Sequence, residues 1–375
     1  MKILHVTSHL NIGGVTRSVL SLSEALAARG HRVLVAADGG ALAAQLPVLG
    51  LTHWPVPLHT SAEFSPRVFS AFRRLSAQLA GEPVDIIHAH TRVGQVVAAR
   101  LSRAARIPYV ATWHGFFRPN LGRRLWPCAG DRTIAISEPV RQHLIRVLRV
   151  PEARIRLIPH GIDPTPFERP VDPAAQERLR VQAHLPQTGP VIGTIARLVA
   201  SKGVDQLIRS LPLMRRSLPQ LRLLIIGDGP ARPALERLAG AIGVAEAVHF
   251  AGALPDTRAA LSLMDVFVFL PAEEEGFGLS LLDAMASARP IVAVRRGGGA
   301  SWVLDQVDVG TQVAPENAQA LADAVVRYLQ NGEAACRAAG QARAVVKERY
   351  SVARMVDQVE AVYGELVSTS VVRSP

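Results

Sequence analysis

Short apolar runs alternate with helix-patterned segments twice along this chain, and that rhythm restricts the fold more than any other feature. In the first half the apolar runs fall at 2–7, 32–36, 85–89, 109–112 and 134–136. Between them, 16–28, 93–105 and 138–148 carry helical spacing of Leu, Ala and Val. Runs this short and this apolar read as strands buried on both faces. A buried strand, a helix and another buried strand make a parallel βαβ unit. Gly30 stands where the first helix should end, as a C′ glycine. Pro159, Pro164, Pro166, Pro170 and Pro173 then crowd one stretch, which reads as a linker. Beyond it a second series of strands is expected at 191–195, 221–226, 248–250, 266–270 and 291–294. Helices are expected at 317–331, 333–347 and 352–366. The fold class is therefore α/β, with two doubly wound domains facing across a cleft. Ligands of such sheets bind beyond the strand C-termini. The domains are expected at 1–168 and 169–350, with 351–375 as a terminal helix crossing back to the first. A chain of 375 residues is long enough for both.

Charge separates the two halves. Residues 1–170 hold 21 Lys and Arg against 10 Asp and Glu, which is the whole net charge of +11. Residues 171–375 hold 21 of each. The first half should therefore meet an anionic partner. No run approaches the length of a membrane span, and the N-terminus lacks a secretory pattern. Cys128 and Cys336 are too few for a disulfide framework. A cytoplasmic protein is expected, peripheral on the inner face of the cytoplasmic membrane.

One segment carries chemistry. Residues 264–270 form an apolar run, and Glu275-Gly276-Phe277-Gly278-Leu279 follows, with Asp283 on a probable helix beyond. Strand, acidic glycine loop and helix start aim backbone N–H groups and a positive helix end at one place, where a phosphate can sit. The carboxylates of Glu275 and Asp283 can accept from sugar hydroxyls. Phosphate and sugar recognised together suggest a nucleotide-sugar.

The order of further motifs resembles the retaining glycosyltransferases of family four, also called glycosyl transferases group 1, which have the GT-B architecture of two Rossmann-like domains. The matching segments are the Gly13-Gly14 loop, Asp85-Ile86-Ile87-His88-Ala89-His90, Thr112-Trp113-His114-Gly115, Ala135-Ile136-Ser137-Glu138 and His160-Gly161-Ile162-Asp163 with Phe167. In the second half they are Arg197-Leu198, Ser201-Lys202-Gly203, Gly227-Asp228-Gly229-Pro230 and Glu275-Gly276-Phe277-Gly278.

The resemblance implies a role for each. Arg197 and Lys202 neutralise the departing diphosphate, and fixed cations suit that task where no metal motif is present. Glu275 lies near the donor sugar, and Phe277, Gly278 and Leu279 offer amides. The ribose-binding position is usually Glu; Asp283 is one methylene shorter, so its contact should be looser or water-bridged. Gly14 lies near the donor phosphate and the acceptor, and Arg17 could face the same crevice. His114 stands at the reaction centre, where a neutral imidazole can donate to a sugar hydroxyl. His5, His9, His88, His90 and His160 read as packing or loop residues. Ser301 and Trp302 occupy a place after Gly297-Gly298-Gly299 that is usually acidic. No metal is expected: 305–308 reads as a loop, and no His/Cys group has ligand spacing. No cofactor is implied.

Two segments suggest a membrane or acceptor surface. Phe116, Phe117 and Arg118 through Arg123, Arg124 and Trp126 interleave aromatic and basic residues. Residues 64–79 place Val68, Phe69, Phe72, Leu75 and Leu79 on one helix face beside Arg67, Arg73 and Arg74. A plain core face with solvated arginines explains that helix equally well. No nucleic-acid motif is present. The sequence thus points to a metal-independent retaining enzyme that moves a sugar from a nucleotide-diphosphate donor, UDP before GDP, to a glycan or glycolipid acceptor in polysaccharide or lipopolysaccharide synthesis. No side chain stands out as a covalent nucleophile, so same-face attack with the departing phosphate as base is expected. Two rivals stay open: an epimerase of the same fold, and a non-catalytic nucleotide-sugar binding protein.

Overall fold

A computed structural model describes residues 1–117, 121–307 and 310–371. The chain forms two compact units, Met1–Gly161 with Val352–Pro375, and Ile162–Ser351. The passage between them falls at Gly161–Ile162, inside the Pro-crowded stretch. Ile162 bridges to Ser351 and its N–H donates to the Tyr350 carbonyl, which ties it to the second unit. That stretch is also more regular than prolines alone suggest. Pro173 opens the helix Pro173–Gln182, where its missing N–H costs nothing, and the Asp172 side chain caps it by accepting from the Ala174 N–H at 3.0 Å.

The first unit is one parallel seven-stranded sheet. Its strands are β1 (Lys2–Val6), β2 (Arg32–Ala37), β3 (Thr52–Pro55), β4 (Ile86–Ala89), β5 (Tyr109–Trp113), β6 (Arg132–Ala135) and β7 (Ile155–Leu157). They lie in the order β3-β2-β1-β4-β5-β6-β7. The order reverses between β1 and β4, which pair in register with His5 opposite His88. Gly94 lets the helix Arg92–Ala105 lie against β1; a Cβ there would meet the Val6 carbonyl oxygen at 2.8 Å. The last helix, Val352–Val371, belongs to this unit. Met355, Val356, Val359 and Tyr363 enter its core, and Glu365 pairs with Arg132 and Arg156, each at 2.8 Å.

The second unit repeats the plan with six strands. They are β8 (Val191–Ile195), β9 (Arg222–Ile226), β10 (Val248–Gly252), β11 (Val266–Phe269), β12 (Ile291–Val294) and β13 (Thr311–Val313), in the order β10-β9-β8-β11-β12-β13. All pairs are parallel, and the order reverses between β8 and β11. In each unit this reversal opens a crevice at the strand C-termini, because the flanking connections leave toward opposite faces. Among the described residues no helix is long and apolar enough to cross a membrane.

Candidate functional site

In the second unit the two loops that flank the reversal point are the two singled out by sequence. The loop after β8 carries Arg197 and Lys202, and the loop after β11 carries Glu275 to Gly278. They meet directly: Lys202 Nζ donates to Glu275 Oε2, with both side chains about one-fifth exposed. Arg197 is exposed and forms no ion pair among the described residues. Its loop is held from beneath by Gly227 and Gly229. A Cβ at either would run into the Ala196 or Leu198 carbonyl oxygen.

Gly278 has φ +96°, a left-handed conformation, and caps the helix Leu279–Ala286. A Cβ there would lie 2.7 Å from the Phe269 ring, so only glycine fits. Phe277 is buried edge-on to Tyr350 at 5.7 Å. The helix Gly298–Val307 starts against the same loop, the Gly299 N–H donating to the Glu275 carbonyl at 2.8 Å. Ser301 turns inward and accepts from the Gly297 N–H at 3.0 Å, so it anchors this loop. Arg296 was not anticipated. Its guanidinium lies beside Gly203 and donates to Gln206 at 2.8 Å, adding a cation next to Lys202. A basic pair ending a buried strand, Arg295-Arg296, was the available signal. Asp283 differs from expectation: its side chain is fully buried and accepts from the Thr257 hydroxyl at 3.2 Å. Its first helical turns pack into the core, so the carboxylate faces inward.

In the first unit Gly14 opens the helix Gly14–Ala28, and Arg17 on its first turn is half-buried. His114 directly follows β5 and joins a largely buried polar group that sequence reasoning missed. His114 Nδ1 lies 3.1 Å from His160 Nε2, and His114 Nε2 lies 3.3 Å from His90 Nδ1. His90 Nε2 meets His5 Nδ1 at 2.7 Å, and His160 Nδ1 meets Ser18 Oγ at 2.9 Å. His88 is held separately by Tyr363 OH at 2.6 Å and Thr112 Oγ1 at 2.7 Å. Three of the histidines read as packing or loop residues, His5, His90 and His160, thus join His114 in one group. Burial disfavours the imidazolium, so His5 drops to about 3 and His160 to about 4. Burial, and then neighbouring histidines, hold His88, His90 and His114 well below the usual range.

Neutral imidazoles can ligate a transition ion, and the fold gathers His5, His88 and His90, which their spacing did not suggest. Yet His5 and His90 bond each other directly, and both His88 nitrogens are engaged. Asp305, read as loop, lies on the helix Gly298–Val307 and pairs with Arg295 at 3.2 Å; Asp308 lies outside the described residues.

The two aromatic–basic segments come together. On the helix Pro66–Gly81, Val68, Leu75 and Leu79 are buried, while Phe69 is 53% exposed and nearby Phe64 74%. The Arg100 guanidinium lies over the Phe69 ring at 4.8 Å and the Trp126 ring at 5.6 Å. Leu125 is 78% and Trp126 39% exposed. Glu63 joins Arg92 and Arg123 at 2.8 and 2.6 Å. Exposed Arg124 bonds the Val147 carbonyl. Phe117 packs edge-on to Trp113 and Phe116 edge-on to His143, and both are half-buried. Arg118 lies outside the described residues.

Comparison with known proteins adds relatives to this geometry. Residues 12–165 match the family described as Glycosyltransferase Family 4, and residues 189–331 match Glycosyl transferases group 1. The chain is 29% identical over 351 residues, 89% of each protein, to the glycosyltransferase EpsD of Bacillus subtilis. It is 38% identical over 184 residues, 47% of each, to a GDP-mannose-dependent alpha-(1-6)-phosphatidylinositol monomannoside mannosyltransferase of Mycolicibacterium smegmatis. The structure of Anabaena HepE in complex with UDP-glucose superposes with a TM-score of 0.83 at 22% identity, covering 98% of this chain and 100% of that one. With a family match on each half and two doubly wound sheets beneath them, the chain belongs to the family-four glycosyltransferases and has the GT-B fold.

Proposed function

We propose that the second unit binds a nucleotide-diphosphate sugar, UDP before GDP, and that the sugar passes with retained configuration to a hydroxyl of a glycan or lipid-linked acceptor. The observation that carries this reading is the contact between Lys202 and Glu275 where the two reversal-point loops meet. Breaking the glycosidic bond builds negative charge on a diphosphate. Glu275 holds the Lys202 ammonium in place until that charge arrives. The ammonium then turns to the phosphate, and the freed carboxylate accepts from sugar hydroxyls. Arg197 grips a second phosphate oxygen, and the positive end of the helix Leu279–Ala286, with the amides of Gly276, Phe277, Gly278 and Leu279, adds to the field. These fixed charges make the transfer independent of a metal. Asp283, closed off and short, reaches the ribose only through a bridging water. Attack comes from the face the leaving group departs, with the phosphate taking the proton. The first unit receives the acceptor, with Arg17 serving the acceptor, Gly14 the donor phosphate and His114 the reaction centre.

The test is transfer of labelled sugar from UDP- and GDP-donors to lipid extracts. Lys202→Ala should lower turnover roughly a hundredfold or more, the usual cost of removing one charge-stabilising donor. Unchanged affinity and turnover in that variant would end the reading. Donor isomerised without transfer would mark an epimerase; binding without turnover, a binding protein.

Exposed Phe64, Phe69, Leu125 and Trp126, set among Arg67, Arg73, Arg74, Arg100 and Arg124, favour contact with an anionic bilayer surface. Such contact would bring a lipid-linked acceptor to the enzyme, as cell-surface polysaccharide or lipopolysaccharide assembly requires. The intact protein should float with vesicles rich in phosphatidylglycerol, and the Phe64→Ser/Phe69→Ser variant should not. Equal flotation of both, or none with either, would contradict it.

A further inference from the structure

Ser18, His160, His114, His90 and His5 form one hydrogen-bonded chain inside the first unit. Its links are 2.9, 3.1, 3.3 and 2.7 Å. His5, His90 and His160 are at most 6% exposed, and His114 alone is half-buried. At the far end His5 Nε2 is buried with no hydrogen-bond partner among the described residues.

Burial keeps these imidazoles neutral, so each carries one N–H and one lone pair. In a chain joined nitrogen to nitrogen, every N–H must then point the same way. Only two arrangements exist. If the protons run from Ser18 inward, His5 ends with an unpaired buried N–H. If they run from His5 outward, it ends with an unpaired lone pair, and Ser18 accepts at the other end. A buried N–H without a partner is the rarer and costlier defect.

We propose that this end effect fixes the direction, so that His114 is held as the Nδ1–H tautomer with its N–H given to His160. Ser18, His160, His90 and His5 are then positioning residues of the transfer reaction; this rests on the reading that His114 serves the reaction centre. Only the 3.3 Å link to His90 is long enough to yield readily to a substrate. A hydroxyl arriving there meets a lone pair, so the ring accepts from the substrate rather than donating to it.

The test is nitrogen-15 NMR of the histidine-labelled full chain, which reports the protonated ring nitrogen. His114 should appear protonated on Nδ1 alone. In Ser18→Ala the outward direction loses its hydroxyl acceptor beside His160, while the inward direction still leaves an orphaned N–H at His5. The two become comparable, and His114 should show both tautomers although Ser18 does not touch it. Its kcat should fall roughly ten- to a hundredfold, as with lost orienting partners elsewhere, while the donor KM holds. Ser18→Thr keeps the hydroxyl and should restore both readouts. A His114 protonated on Nε2 in the unaltered protein, or a single tautomer surviving in folded Ser18→Ala, would overturn the proposal. So would a stoichiometric metal ion that copurifies and is lost in His5→Gln. If His114→Ala turns over normally while the tautomer results stand, the reaction-centre reading has failed and the chain has not.

Discussion

Acid should loosen the first unit well before the second. An unfolded histidine takes up a proton near pH 6.5, whereas folded His5 does so only near 3 and His160 near 4. Throughout the window between, the unfolded chain binds more protons, so stability falls as pH falls. The contribution is complete above about pH 6.5 and shrinks steadily below it. At about pH 5 each of these two histidines costs about 2 kcal/mol, from one and a half pH units at about 1.36 kcal/mol each. The pair removes about 4 kcal/mol, and His88, His90 and His114 push the same way. A domain holds about 5–15 kcal/mol in total, so this is a large share. Carboxylates do not confuse the window. Glu63, Glu360 and Glu365 have lowered pKa values, so their contributions stand above about 4.5 and fade only below it. The second unit contains only His184 and His249 and serves as the control. The assay is hydrogen exchange at about pH 7.5 and about pH 5, corrected for intrinsic rate. Peptides covering β1, β4 and β5 should lose protection by roughly two to three orders of magnitude, and those covering β9 and β11 far less. Equal protection of β1, β4 and β5 at both pH values would refute the picture of neutral, sealed imidazoles.

Two further substitutions test other parts of the account. Gly278→Ala forces a Cβ against the Phe269 ring in left-handed backbone, and should cost about 1–3 kcal/mol, seen as a Tm lowered by several degrees; an unchanged Tm would show that the loop has another conformation. Tyr363→Phe strips the 2.6 Å partner from buried His88 Nδ1 and should cost about 1–3 kcal/mol in urea unfolding, whereas a neutral result would place the Val352–Val371 helix elsewhere.

The sequence made the parallel strands of both sheets legible, because strands buried on two faces are apolar throughout. It did not show β3, β7 and β13. These lie at the ends or edges of the sheets, and β3 alternates, with Trp54 buried between exposed Thr52 and Pro55. Lys202 and Glu275 were legible as separate loops, and their contact follows from β8 pairing with β11. The histidine chain was hidden because it depends on register between strands distant in sequence. His5 lies opposite His88, and His90 and His114 meet only because β4 and β5 are neighbours. The packing of Phe116 and Phe117 was hidden for a related reason: an aromatic pair beside arginines does not show that Trp113 and His143 lie against it. The burial of Asp283 was hidden because helical spacing does not reveal which turn is buried.

The central claim is that the pyrophosphate of a nucleotide-sugar is received where the loops after β8 and β11 touch. Hydrogen exchange with and without UDP-glucose, and again with GDP-mannose, tests it most directly. One of these donors should protect the backbone at 197–203 and 275–279, and Lys202→Ala should abolish that protection. Protection confined to the first unit, or an identical footprint in Lys202→Ala, would contradict it.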